Sequence, residues 1–255
     1  MTRIRTLAGL LIGFVVCSGM AAADDLEKAQ KDIIKNFDDV KSVSAKVVKT
    51  MKMDTNGNMM TSDGTGTYEY MRADKAGRMR LEMVEVLKIN VKGSDKPMEL
   101  RSGSMMLDDG EFLWKITDNM GRKNATKALR DASASPNLKE MFETIAKTAD
   151  LKLLPEAKVG DEACYAIEVT PKNKTVTPAS GMSPPKAKSV LYFSKKTGVM
   201  LKSAGLNEKG EEVETITYAD VKLNEKIEKE RLEFKAPEGV TVTDMTGGKS
   251  GPAKP

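Results

Sequence analysis

The sequence predicts a mainly β protein with a few helices, built on one antiparallel sheet that curls into an unclosed barrel. Segments in which apolar and polar residues alternate recur along most of the chain, separated by turns rich in Gly, Asn and Asp. Two segments instead show the three- and four-residue apolar spacing of an amphipathic helix. Because a twisted sheet with this many strands does not stay open and flat, the pattern favours curling into a barrel or half-barrel.

The start of the chain has the layout of a cleavable export signal. Arg3 and Arg5 precede an apolar run at 7–16, and small residues follow at 21–23. The run is shorter than the ~20 residues that a membrane-spanning helix needs. We therefore expect a cleaved signal peptide over residues 1–23 and an exported, soluble mature protein.

Lipid attachment at Cys17 is the alternative interpretation of the same segment. The residue before a lipidated cysteine is normally small, whereas here it is the bulky Val16. We therefore expect ordinary cleavage after Ala23. Cys164 is then the single cysteine of the mature chain, so no internal disulfide forms and stability has to come from a hydrophobic core.

Charge balance and histidine content narrow the function classes. Without Arg3 and Arg5, the 41 basic residues of the chain fall to 39, against 37 acidic ones, which argues against nucleic acid as a partner. The chain has no histidine, which removes Ser-His-Asp and Cys-His catalysis and histidine metal sites. We therefore expect a protein that is not an enzyme and that uses no metal or cofactor.

Two helices are indicated by apolar stripes. The stripe of the first helix consists of Leu26, Ala29, Ile33, Phe37 and Val40. Asp24 or Asp25 is expected to cap its start. The second helix carries Leu138, Met141, Phe142 and Ile145, and Asn137 with Glu140 resembles a capping box at its start. Residues 124–135 before this helix are expected to be irregular.

Strands are expected to fill most of the remaining chain, and the clearest of them are 42–53, 64–72, 78–83, 84–91, 98–107, 112–117, 163–170, 190–194, 199–205 and 212–218. The segment 234–240 is expected to close the sheet. Residues 244–255 are rich in Gly, Pro and Lys and are expected to form a disordered tail. Residues 24–243 then make a single domain.

The predicted strand Gly64–Arg72 has an unusual face. With a period of two, Tyr68, Tyr70 and Arg72 point to the same side. In one interpretation the tyrosines are ordinary core and Arg72 reaches out at the rim of the sheet. In the other, the face lines an apolar cavity and Arg72 holds the polar end of an amphiphile at its mouth. Fifteen of the 17 methionines follow the signal, and methionine suits either variable apolar ligands or gap filling.

Taken in order, four segments after the first helix resemble the periplasmic outer-membrane lipoprotein carriers of the LolA type: Gly64–Arg72, Leu107–Trp114, Tyr165–Lys172 and Phe234–Val242. The resemblance implies an unclosed antiparallel barrel whose apolar concave face lies under a helical lid. It also implies a monomeric, non-enzymatic carrier located in the periplasm. Its cargo would be acylated lipoproteins or other lipids, passed from an inner-membrane ABC transporter to an outer-membrane acceptor.

The resemblance further implies a ligand-binding role for a set of apolar and aromatic residues and one arginine, namely Arg72, Tyr68, Tyr70, Met79, Leu81, Met83, Trp114, Leu138, Met141, Phe142 and Ile145. Arg72 falls on the arginine that couples cargo to lid closure in the family. The family usually continues with proline, whereas Ala73 follows here. An outer-membrane-anchored lipoprotein acceptor and a periplasmic lipid-binding sensor of the same fold are the alternatives.

Overall fold

The computed structural model describes residues 19–55, 58–73, 77–90, 93–94, 96–130, 137–172 and 186–247. Within these residues there are two α-helices, α1 (Gly19–Asp38) and α2 (Leu138–Thr148). The strands are β1 (Ser42–Thr55), β2 (Asn58–Met71), β3 (Arg78–Asn90), β4 (Met98–Asp108), β5 (Phe112–Asn119), β6 (Arg122–Leu129), β7 (Ala149–Leu153), β8 (Ala157–Val159), β9 (Glu162–Pro171), β10 (Lys188–Ser194), β11 (Met200–Leu206), β12 (Glu212–Leu223) and β13 (Val242–Asp244).

All of these strands belong to one sheet. Their spatial order is β13-β6-β5-β4-β3-β2-β1-β12-β11-β10-β9-β7, and β8 pairs with β9. Neighbours are antiparallel except β13, which runs parallel to β6. The two ends of this order, β13 and β7, do not pair with each other in the described part of the chain. The predicted fold class, mainly β with an unclosed antiparallel sheet and helices, is therefore confirmed.

Both helices pack on the same face of the sheet, which we call the inner face; the opposite face is the outer face. Ile33 of α1 and Phe142 of α2 share one core cluster with Ile167 and Phe193 of the sheet. The Phe142 and Phe193 ring centroids lie 5.5 Å apart. Fully burying each such side chain stabilises the fold by about 1.5–3 kcal/mol, so this cluster fixes the helices against β9 and β10.

A second core cluster lies at the C-terminal end of α1. Phe37 and Val40 pack there with Tyr70 of β2 and Met79 of β3. Leu138, the first residue of α2, packs against both clusters. The two cores are therefore continuous beneath the helices, from β9 and β10 across to β2 and β3.

Several expectations need correction. Helix α1 begins at Gly19, so Asp24 and Asp25 lie inside it and do not cap it. Residues 122–129, most of which were expected to be irregular, form the strand β6. Predicted strands 78–83 and 84–91 are one continuous strand, β3. The segment 234–240 is not a strand, and β13 closes that edge of the sheet instead.

Asn137 caps α2 as expected, because its side-chain oxygen accepts a hydrogen bond from the Glu140 amide at 3.3 Å. Most of the predicted signal peptide, including Cys17, lies outside the described residues, as does the tail after residue 247. In the described part of the chain, no helix is long and apolar enough to cross a bilayer.

Candidate ligand-binding groove

The strand register aligns side chains of β1–β4 in rows across the inner face. The first row, beside α1, holds Val43, Tyr70, Met79 and Asp108. The second row holds Ala45, Tyr68, Leu81 and Met106. The third row holds Val47, Gly66, Met83 and Ser104, and the fourth holds Lys49, Gly64, Glu85 and Ser102. The first three rows form an apolar surface with Asp108 at one corner, which we call the floor.

Tyrosines give the floor its shape. The Tyr70 side chain is 3% exposed, and its ring centroid lies 5.4 Å from that of Phe37 on α1. Tyr68 meets Tyr218 of β12 edge to face at 5.2 Å, across the small side chain of Ala45 on the intervening strand. Burial raises the pKa of Tyr218 to about 12 and raises the pKa of Tyr68 further. Both phenols therefore stay neutral at physiological pH, and the aromatic part of the floor is uncharged.

A cavity of about 170 Å³ opens over the second to fourth rows. Its apolar lining consists of Val47, Leu81, Met83, Met105, Met106 and Ile216. The cavity is smaller than the roughly 300–1,000 Å³ that holds a typical small-molecule ligand. A long apolar ligand therefore fits on the floor only if side chains or a helix move away from it.

Charged residues bound the floor at its far end. Lys49 Nζ lies 3.0 Å from both carboxylate oxygens of Glu85 and 3.6 Å from Glu214 Oε1. Glu214 in turn pairs with Lys186. The Ser62 hydroxyl donates to Glu85 Oε2 at 3.3 Å. The sequence alone does not reveal this network, because it joins residues that become neighbours only through the register.

A second missed feature is a buried ion pair at the opposite end of the floor. Asp108 is 1% exposed, and its Oδ2 accepts a hydrogen bond from Arg130 Nε at 2.7 Å. Its Oδ1 accepts the Gly110 amide at 2.9 Å. In the sequence, the Asp108-Asp109-Gly110 motif indicated only a hairpin turn. The pair ties the first row to the end of β6, a few residues before α2 begins.

Arg72 lies at the rim of the sheet and holds α1. Its Nε donates to the Val40 carbonyl at 3.0 Å and its Nη2 to the Phe37 carbonyl at 2.8 Å. Its Nη1 lies 3.7 Å from Asp38 Oδ1. These contacts place a cation at the C-terminal end of the helix, where it complements the helix dipole and satisfies otherwise unpaired carbonyls. Arg72 thus engages the first helix in this structure, whereas the predicted lid residues lie on the second.

Trp114 lies apart from the other predicted ligand-binding residues. It pairs in register with Leu107, so it points to the outer face, while Met106 next to Leu107 points inward. Its ring stacks on Phe234 with centroids 3.9 Å apart, and its Nε1 donates to Asp109 Oδ2 at 2.6 Å. The inclusion of Trp114 among the groove residues is therefore corrected: here it fastens the C-terminal segment to the outer face.

The predicted lid residues lie at different depths. Leu138 reaches the cluster that contains Tyr70 and Met79, so it covers the edge of the floor. Met141 and Phe142 pack farther away, in the cluster of β9 and β10. Ile145 is half-buried on the same helix. The structure thus brings Tyr68, Tyr70, Met79, Leu81 and Met83 together on one surface, with α1 and the start of α2 over its first row.

Comparisons with known proteins give fold likenesses. No family model matches the sequence, and no curated protein matches it. A complex of MucA and MucB from Pseudomonas aeruginosa matches with 19% identity and a TM-score of 0.43, over 84% of this chain and 61% of the matched one. The chain thus spans less than two thirds of that protein chain.

Two further structures are similar. An outer membrane lipoprotein-sorting protein domain from Vibrio parahaemolyticus matches with 10% identity and a TM-score of 0.33, over 81% of this chain and 96% of the other. A LolA superfamily protein from Nitrosomonas europaea matches with 13% identity and a TM-score of 0.28, over 81% and 98%. Proteins of the type that the sequence motifs predicted are thus among the similar structures. At identities and TM-scores this low, the likenesses assign no function.

Proposed function

We propose that this protein is a periplasmic carrier that binds the acyl chains of lipoproteins or related lipids on its floor and passes them towards the outer membrane. The observation that carries the proposal is the continuous apolar surface formed by Tyr70, Met79, Tyr68, Leu81 and Met83. It begins under α1 and the start of α2 and runs out into an open cavity. A long aliphatic chain is the ligand whose shape and polarity match such a surface.

Energetics explain why the helices cover the floor. Each methylene removed from water contributes about 0.8 kcal/mol of binding free energy. A full acyl chain on an uncovered floor would therefore bind too tightly for a carrier to release it. Because Phe37 and Leu138 already cover part of the floor, cargo has to replace their contacts. The net binding free energy is then only the difference between the contacts that the cargo makes and those that it displaces. Net affinity then stays moderate, which transfer to an acceptor requires.

We propose that α2 moves and that α1 stays in place except at its last turn, which carries Phe37. Helix α1 is tied to the sheet by polar contacts: Asn36 Nδ2 donates to the Lys195 carbonyl at 2.7 Å, and the Tyr165 hydroxyl donates to Asp32 Oδ2 at 3.0 Å. Gly198, with φ +69°, lets α1 approach so closely that a Cβ there would lie 2.2 Å from the Ile33 carbonyl oxygen. Helix α2 packs through the apolar Leu138, Met141 and Phe142, contacts that an acyl chain can substitute. Its polar ties to the sheet lie at its C-terminal turn, where Lys172 Nζ donates to the Ala146 carbonyl at 2.6 Å, so its N-terminal end is the part that can lift.

Arg72 is proposed to link the floor to the C-terminal end of α1. Phe37 packs on Tyr70 of the floor with its ring and accepts the Arg72 hydrogen bond with its carbonyl. Cargo that pushes the Phe37 ring away from Tyr70 therefore also strains the bond to Arg72. The residue is in this way positioned to link occupancy of the floor to the end of α1, as the family resemblance implies for this arginine.

A transfer assay tests the proposal. The mature protein is loaded with a fluorescent diacylated lipopeptide and mixed with acceptor vesicles, and movement of the label is followed by energy transfer. We expect loading of the carrier and protein-dependent transfer. A folded protein that takes up no lipopeptide would overturn the proposal. As the family resemblance implies, the cargo would come from an inner-membrane ABC transporter and pass to an outer-membrane acceptor.

A further inference from the structure

We infer that the ion pair between Lys49 and Glu85 is the end wall of the groove and sets the longest acyl chain that the floor accepts. This inference rests on the proposed function and adds a specificity determinant to it. The pair lies in the fourth row, at the boundary of the cavity, next to the third row of the floor, which holds Val47 and Met83.

Gly64 makes the wall possible. Lys49 is on β1 and Glu85 on β3, so the two side chains have to meet across β2. At Gly64 an added Cβ would lie 2.9 Å from Glu85 Cγ, 3.0 Å from Met83 Cε and 3.3 Å from Lys49 Cβ. The ion pair therefore occupies the space that any side chain at Gly64 would take, and it closes the floor from strand to strand.

The charged groups of the wall are largely shielded from water, and they are paired with groups of opposite charge. The side chains of Lys49 and Glu85 are 19% and 24% exposed, and that of Glu214 is 10% exposed. An aliphatic chain lying over this row would strip the remaining water from the pair without supplying a hydrogen bond. Removing solvation from a paired charge is costly, so each methylene past the wall gains much less than one on the floor.

The wall interrupts an apolar face that continues beyond it. The fifth row of the same four strands holds Met51, Ser62, Leu87 and Leu100. The sixth holds Met53, Met60, Ile89 and Met98. Apolar residues thus lie on both sides of Lys49 and Glu85. If the pair were replaced by apolar side chains, the floor would extend through these two rows.

The distance between the ends of the floor predicts a chain length. From Met79 beside Asp108 to Glu85 the strand advances six residues, or ~20 Å at about 3.3 Å per residue. An extended hydrocarbon advances about 1.3 Å per carbon, given C–C bonds of about 1.5 Å. A chain lying along β3 between the Asp108–Arg130 pair and the wall therefore has about 15 carbons.

The test is a chain-length series. Saturated fatty acids of increasing length, each below its aggregation concentration, displace a hydrophobic fluorescent dye from the mature protein. Affinity should rise about three- to fourfold per added methylene and stop rising near the length of the floor. We call the chain length at which affinity stops rising the break. In the double variant Lys49→Met, Glu85→Met the rise should continue through the longest acid tested.

Two controls accompany the series. The variant Lys202→Met, Glu212→Met removes an ion pair of similar length, 2.8 Å, between β11 and β12 that does not line the cavity over the floor, and should keep the wild-type break. The variant Lys49→Arg preserves the wall and should keep the wild-type break as well. A wild-type series without a break overturns the inference whether or not the double variant folds, and so does an unchanged break in a folded double variant. If no fatty acid displaces the dye at any length, the proposed function fails, and the inference fails with it.

Discussion

Arg72 and Phe37 are joined twice in this structure. The guanidinium donates a hydrogen bond to the Phe37 carbonyl at 2.8 Å and lies 5.5 Å from the centroid of the Phe37 ring. The same ring packs on Tyr70 at 5.4 Å. One residue at the end of α1 therefore connects the rim of the sheet to its floor, and a substitution of Arg72 should affect both the helix and the cargo.

Replacing Arg72 with leucine should separate loading from transfer. The change keeps bulk but removes the donors to the Phe37 and Val40 carbonyls, which should lower the free energy of unfolding by about 1–2 kcal/mol. We expect the variant to fold and to accept acylated cargo but to transfer it to acceptor vesicles much more slowly. Arg72→Lys is the matched control, because it keeps the charge and loses the forked geometry. Normal transfer by a folded Arg72→Leu protein would mean that Arg72 has only a structural role at the rim of the sheet.

A carboxylate in the apolar side of α2 should release the helix. In Met141→Asp or Phe142→Asp, the new charge has to leave the core or remain buried without a partner, which costs several kcal/mol. We expect the variants to bind a hydrophobic dye more strongly than wild type, since the floor becomes accessible. Lys139→Asp places the same carboxylate on an exposed position of the same helix and should change nothing. Unchanged dye binding by folded variants would mean that α2 does not control access to the floor.

The Asp108–Arg130 pair should be a large stability determinant. Asp108→Asn removes the carboxylate of a buried ion pair, and breaking such a pair on one side typically costs about 3–5 kcal/mol. Chemical denaturation of the variant beside wild type measures the loss. Asp63→Asn, at an exposed position of β2, is the control and should stay within about 0.5 kcal/mol of wild type. A loss as small as that of the control would mean that the pair adds little to the fold.

Asp109 should make stability depend on pH in the acid range. Burial raises the pKa of this carboxyl, but hydrogen bonds from the Phe112 and Glu111 amides and the Trp114 indole outweigh it and hold the pKa below its ordinary value of 3.8. A carboxyl with a lowered folded-state pKa contributes stability above its unfolded-state pKa and loses it as pH falls through the folded-state value. The deficit of Asp109→Asn relative to wild type should therefore be constant near neutral pH and shrink below about pH 4. Denaturation curves at several pH values check this, and a deficit at pH 2 as large as the one at neutral pH would contradict it.

The parts of the fold that were predictable are those with a strong local signal. The stripe from Leu26 to Val40 follows the helical period, and alternation alone places Tyr68 and Tyr70 on one face. Strand β6 was missed because Arg122–Leu129 is mostly polar, and Ala125 is its one buried apolar residue. A local pattern cannot reveal a strand whose apolar content is so low.

The groove was only partly predictable, because its decisive contacts depend on register. Trp114 could be assigned to the inner or outer face only once its pairing with Leu107 was known. Lys49 and Glu85 are 36 residues apart in the chain, and Asp108 and Arg130 are 22 apart. In the sequence each of these is one charge among many on an apparently solvated strand. Their neighbours across the sheet turn them into the two ends of the floor.

The most direct test of an acyl-binding floor is photolabelling with a fatty acid that carries a diazirine on its chain. The mature protein is irradiated with the probe and digested, and labelled peptides are identified by mass spectrometry. The proposed function predicts label on inner-face residues of β2 and β3, such as Tyr68, Leu81 and Met83, and its loss when excess unlabelled fatty acid competes. Label confined to the outer face around Trp114 and Phe234, or label that no competitor reduces, would contradict it.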